Sequence, residues 1–214
     1  MPVASTKSAK VAYRGRAVFF VPGSRRGFTL VEAMLSVAII SIAGTALITG
    51  IASSINTTDA AMQQAIGLGL AEQLMDEIAS RHYAEPGGSP TTTLGPEAGE
   101  TSNGSRSLFD DLDDYNGLID QPPSDVNGFE LGKDNGSGGE RNSNFKLPVG
   151  QLAGWRREVT VAYVSDADFT TPLSGGITSN FRLVEVRVFV DNSQGGSREV
   201  ARLSRVFAYV PIPQ

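Results

Sequence analysis

Four aspartates fall within five positions at Asp110, Asp111, Asp113 and Asp114, punctuated by Phe109, Leu112 and Tyr115. Clustered carboxylates with nearby carbonyls supply the oxygen donors that Ca2+ takes, about 6–8 per ion. The spacing is not that of an EF-hand loop, because the Asp-x-Asp-x-Asp-Gly run and the downstream glutamate are missing. The alternative is a solvated acidic turn that caps a short helix, its apolar residues serving as anchors while the carboxylates point outward. A further acid stands apart. Glu32 is the only ionisable group at the head of an apolar run, and a charge so placed is costly enough to mark a functional group. In the plainer alternative it sits solvated and balances the dipole of the first helical turn.

Other chemistries find little support. The chain has no cysteine, so neither a disulfide framework nor a thiolate metal site is available. His82 is the only histidine, which leaves a Ser/His/Asp triad or a histidine-based zinc site hanging on one residue. The glycines at 136, 138 and 139 sit among Asn and Ser without the strand and helix that a phosphate-binding loop needs. No catalytic group emerges, and the chain reads as a non-enzyme.

Charge is unevenly spread. Residues 1–27 carry Lys7, Lys10, Arg14, Arg16, Arg25 and Arg26 and no acid, which leaves the rest of the chain strongly acidic. A basic tail ahead of an apolar run is what the positive-inside rule expects on the cytoplasmic side. An acidic body argues against nucleic acid as a partner, since binding phosphates takes a basic face. From Ala33 to Thr58 there is no charged residue at all, long enough for the roughly 20 apolar residues that span a bilayer as helix. By hydropathy alone this run is an ordinary signal anchor.

The junction Arg25-Arg26-Gly27-Phe28-Thr29-Leu30-Val31-Glu32 adds information that hydropathy lacks. It resembles the prepilin family, whose signature is a basic leader ending in glycine, then Phe-Thr-Leu-Val-Glu and an apolar helix. The resemblance implies cleavage between Gly27 and Phe28 by a membrane prepilin peptidase on the cytoplasmic side, followed by N-methylation of Phe28. It also implies that Glu32 meets the positively charged N-terminus of a neighbouring subunit in a filament. Gly27 suits a narrow protease cleft because it carries no side chain. The 27-residue leader, with its apolar stretch Ala17–Val21, is long for that family.

The elements that must position these residues follow from periodicity. No proline occurs between Pro22 and Pro86, so nothing breaks a helix from Phe28 to about His82, roughly 80 Å long at about 1.5 Å per residue. Ala71, Leu74, Met75 and Ile78 recur at helical spacing. Gly44, Gly50, Gly67 and Gly69 are either soft points or close-packing positions. Residues 84–150 read as loop-rich. Trp155–Val164, Phe181–Val190 and Arg202–Val210 alternate as half-buried antiparallel strands, the last two joined by a turn at Asp191–Gly196. The fold class is therefore α+β: a long N-terminal helix, its first half membrane-spanning, packed on a small antiparallel sheet of 3–4 strands. The expected divisions are a leader (1–27), a transmembrane and assembly helix (28–58), a periplasmic half-helix (59–83), the loop-rich region (84–150) and a sheet head (151–214).

Two weaker likenesses tilt the family assignment. Leu70–Ile78 is similar to the matching stretch of PilV-like minor pilins and GspI-like pseudopilins. Phe-Asp-Asp-x-Asp-Asp-Tyr at 109–115 resembles a phrase in mannose-sensitive haemagglutinin minor pilin D. The expected function is a minor type IV pilin-like structural subunit, in the inner membrane with its C-terminal domain periplasmic, that joins or primes a pilus. A type II secretion pseudopilin is the alternative. A membrane-tethered module that binds a surface through Tyr115, Phe129 and Phe145 is the second. Partners would be the prepilin peptidase, other pilin or pseudopilin subunits and the inner membrane.

Overall fold

The computed structural model describes residues 27–101, 105–133, 144, 146–148, 150–191 and 195–211. The leader with Arg25 and Arg26, the glycines at 136–139, Phe145 and the middle of the 191–196 turn lie outside the described residues. The order is helix α1 (Leu30–Ala79), a one-turn 3-10 helix (Asp113–Tyr115), then strands β1 (Ile119–Asp120), β2 (Trp155–Tyr163), β3 (Phe181–Asp191) and β4 (Ser197–Ala208). The four strands form one antiparallel sheet in sequence order. The chain divides into two units, one ending at Ala52 and one beginning at Ser53.

In the first unit α1 begins with a capping box. Thr29 Oγ1 accepts from the Glu32 N–H at 3.2 Å, and Glu32 Oε2 accepts from the Thr29 N–H at 3.0 Å. Two amides that a helix start leaves orphaned are thereby satisfied reciprocally. The apolar turns that follow expose their large side chains, among them Leu35, Ile40, Leu47 and Ile51. Their hydroxyls are satisfied within the helix: Ser36, Ser41, Thr45 and Thr49 each donate to the carbonyl four residues back, at 2.7–2.9 Å. Such back-bonding removes the cost of carrying a hydroxyl through hydrocarbon. α1 is the one helix among the described residues that is long and apolar enough to cross a membrane.

In the second unit the same helix buries Leu70, Ala71, Leu74, Met75 and Ile78 on the inner face of the sheet. That face carries Trp155, Val159 and Val161 of β2 and Val184, Val186 and Val188 of β3, with Val159 opposite Val186 and Val161 opposite Val184. Gly67 is a close-packing position, because a Cβ there would stand 2.7 Å from Val200 Cγ2 and 3.2 Å from Ala201 Cβ. At Gly44, Gly50 and Gly69 a Cβ would meet nothing within 4 Å. The sheet's other face carries paired charges, such as Arg187 with Glu199 at 2.8 Å.

The strands match the alternation, with shifted ends. The third runs Ser197–Ala208, not Arg202–Val210, and β1 falls in a region expected to be loop. The helix stops at Ala79 because the next residues leave its hydrogen-bond ladder to pair with the aspartate segment: the His82 N–H donates to Asp110 O at 3.1 Å, and the Leu112 N–H to His82 O at 3.0 Å.

Candidate functional sites

The first candidate site is the head of α1. Gly27 and Phe28 precede the helix, and Phe28 is 78% exposed. A Cβ on Gly27 would meet nothing within 4 Å among the described residues. Glu32 is exposed, and its Oε2 also accepts from Thr29 Oγ1 at 2.9 Å. Both bonds to Thr29 use Oε2; Oε1 takes part in neither.

The second candidate site is the aspartate cluster, and here the outward-pointing carboxylates expected from the sequence are corrected. Asp111, Asp113 and Asp114 are buried, at 2% exposure or less. Phe109 and Tyr115 do anchor the segment, edge to face with centroids 5.0 Å apart, but they draw the acids in with them. Tyr115 is fully buried and offers no surface aromatic. Buried carboxylates must be hydrogen-bonded or paired, and the segment meets this in three ways. Asp114 Oδ2 accepts from the Asp110 and Asp111 N–H groups, at 2.8 and 3.0 Å. Asp111 Oδ1 accepts from the Asp113 N–H at 2.7 Å. Asp113 pairs with the fully buried Arg182 at 2.6 Å.

Arg182 is one of three buried arginines among the described residues, with Arg106 and Arg157, and none of them belongs to a motif of the sequence. Its guanidinium also donates to the Tyr83 carbonyl and lies 4.5 Å from the Tyr83 ring centre. Burial alone would depress it, but the Tyr163 hydroxyl and the Asp113 carboxylate outweigh that and raise its pKa. Arg157 Nε donates to Asp120 Oδ2 at 2.8 Å, and its Nη1 to the Leu70 carbonyl of α1 at 3.3 Å. Arg106 grips both oxygens of Glu77 on α1, at 2.8 and 3.1 Å, while its Nη2 donates to Ser124 O at 3.0 Å. The signal was present: Arg157 and Arg182 occupy positions of the same parity as the inward valines on their strands.

Among the described residues, four buried carboxylate oxygens remain without any hydrogen-bond partner: Asp113 Oδ2, and Asp110 Oδ1, Asp111 Oδ2 and Asp114 Oδ1. Asp110, Asp111 and Asp114 belong to a larger acidic patch. Carboxylate oxygens of Glu85, Asp110 and Asp111 lie within 4.8 Å of one another, as do those of Glu100, Asp110 and Asp114, and those of Glu85, Glu97 and Glu100. Burial first, then the neighbouring Asp113 and Asp114 charges, pushes the Asp111 carboxyl up to about 7. Burial is also the main cause that pushes Glu100 up to about 7. Asp113, turned to Arg182, is not among the converging oxygens, whereas Glu85, Glu97 and Glu100 join them from a connector where no acid was singled out.

Comparison with known proteins bears on the first site. Residues 23–48 match the family model described as the prokaryotic N-terminal methylation motif. No curated protein and no solved structure matches the chain. The matched span contains Gly27, Phe28 and Glu32 and enters the apolar turns of α1. The motif implies processing by a prepilin peptidase and assembly with like subunits, and its family consists of structural proteins. By that motif, the chain's N-terminus is similar to that of type IV pilin-like prepilins.

Proposed function

We propose that the chain is a minor type IV pilin-like structural subunit that is cut between Gly27 and Phe28, N-methylated on Phe28 and drawn into a filament that it joins or primes. The observation that carries this reading is the methylation motif running straight into apolar helical turns that none of the described residues of their own unit covers. An exposed apolar surface of that extent needs lipid or other subunits around it. Before assembly the helix anchors the chain as a single pass in the inner membrane, with the N-terminus cytoplasmic and the sheet-bearing unit periplasmic. The peptidase cleft would be an external requirement for glycine at Gly27, where no described neighbour demands one. Glu32 holds its own helix start through Oε2 and offers Oε1 to the methylated ammonium of a neighbour's Phe28. The pseudopilus of a type II secretion system is a second destination for the same chemistry.

Replacing Gly27 with leucine tests the processing step. The full-length precursor should persist in membranes, with no methylated Phe28 by intact-mass measurement. Normal mature mass from the leucine variant would sink the reading. Glu32→Ala should leave cleavage intact and remove the chain from sheared filaments.

A further inference from the structure

We propose that Glu85, Glu97, Glu100, Asp110, Asp111 and Asp114 form a Ca2+ site that straps the 84–101 connector to the buried aspartate turn. Oxygens bound to one Ca2+ at about 2.4 Å lie at most about 4.8 Å apart. Three triads of carboxylate oxygens meet that limit, and they are linked because Glu85, Glu100 and Asp110 each belong to two of them. Proximity of acids alone would not point to an ion. The independent observation is that Asp111 Oδ2 and Asp114 Oδ1, on side chains all but sealed from solvent, have no hydrogen-bond donor, while each residue's other oxygen accepts from backbone N–H groups. Asp110 Oδ1 in the same patch is bare as well, and the bare Asp113 Oδ2 belongs to the carboxylate that Arg182 neutralises. A buried carboxylate oxygen left bare costs free energy, and a cation between the two arms of the patch removes that cost.

No arginine or lysine does this work: among the described residues, none of the six forms an ion pair. Arg182, the buried cation of the aspartate turn, pairs with Asp113. Donor chemistry selects the ion. All six ligands are carboxylates and they come from two irregular segments, which suits the variable geometry of Ca2+. Zinc would draw on histidine or cysteine. Mg2+ demands near-octahedral oxygens at about 2.0–2.1 Å and sheds its waters reluctantly.

The benefit falls on the connector. Residues 84–101 contribute Leu94 to the core periphery and the Pro90 and Thr92 carbonyls to Tyr163 and Arg182, and carboxylate ligation adds a direct tie to the aspartate turn. That turn is held in place by His82 and Arg182.

The full chain in detergent micelles, stripped with chelator, provides the test. Calorimetric titration with CaCl2 should show saturable binding of at least one ion per chain, and Ca2+ should raise the thermal midpoint where equal Mg2+ does not. Glu100→Gln should weaken Ca2+ binding at least tenfold, yet unfold no earlier than the parent in chelator because like-charge crowding is relieved. Asp111→Asn keeps the acceptor for the Asp113 N–H and should behave the same way. A site that is merely structural would give the opposite sign in chelator. Absence of saturable Ca2+ heat, an equal response to Mg2+, or undiminished binding by both variants would each overturn the proposal.

Discussion

The turns of α1 near Leu47 and those near Leu74 are built from similar residues, yet they meet different surroundings. Around Leu47 the large apolar side chains are exposed and a Cβ on Gly44 or Gly50 would touch nothing. Around Leu74 the side chains are fully buried, and Gly67 exists because β4 approaches to van der Waals contact. Polar groups divide in the same way. In the first stretch, hydroxyls bond back to their own helix; in the second, Glu77 and Leu70 O reach arginines far along the chain. Composition does not decide whether a helical turn belongs to a core. What decides it is whether the rest of the chain supplies a complementary face.

The largest effect should come from breaking the buried pairing. Arg157→Met leaves Asp120 buried beside only Arg106, at 3.7 Å, and should cost about 3–5 kcal/mol. Adding Asp120→Asn should recover much of that loss. Unfolding of the full chain in micelles can be followed by the single, buried Trp155. Next, Leu74→Ala should cost about 2–5 kcal/mol by opening a cavity, while Leu47→Ala should move the same transition by less than about 0.5 kcal/mol. Equal losses at the two positions would erase the contrast. Gly67→Ala should cost about 1–3 kcal/mol through overpacking against Val200. Gly44→Ala should cost nothing and improve helix propensity by up to about 1 kcal/mol.

The smallest effect is expected at the sheet's outer face. Hydrogen bonds from Arg202, then the Arg187 guanidinium, hold the Glu199 carboxyl down at about 2. A carboxylate lowered on folding stabilises above its unfolded value and loses that contribution as pH falls towards 2. Its exposure keeps the contribution slight. Glu199→Gln should therefore lower the thermal midpoint a little at pH 7 and not at all near pH 2.

Much of this was legible in the sequence because it is local. The N-terminal methylation motif, the apolar run and the alternation of β2 and β3 each lie within about a dozen or two residues. The boundary at Ala79 and the two-residue β1 were not, since both are set by pairing with distant segments. The aspartate cluster misled for the same reason. Four acids in five positions read as a solvated turn until Arg182, 69 positions away, is brought beside Asp113. Parity along β3 already placed Arg182 among the inward valines, and a buried arginine demands a buried acid. The pairing could thus have been sought, though not its partner.

The hydroxyl ladder of α1 has a mechanical consequence. With Ser36, Ser41, Thr45 and Thr49 all spent on carbonyls of their own helix, the outside of those turns presents hydrocarbon without a free hydroxyl donor. Ridges of Leu, Ile and Val can still interlock with a neighbour's grooves, but no hydroxyl contact favours one offset over another. On the filament reading proposed above, the Glu32 carboxylate at the helix start would then be the polar group able to set the register of one helix against the next.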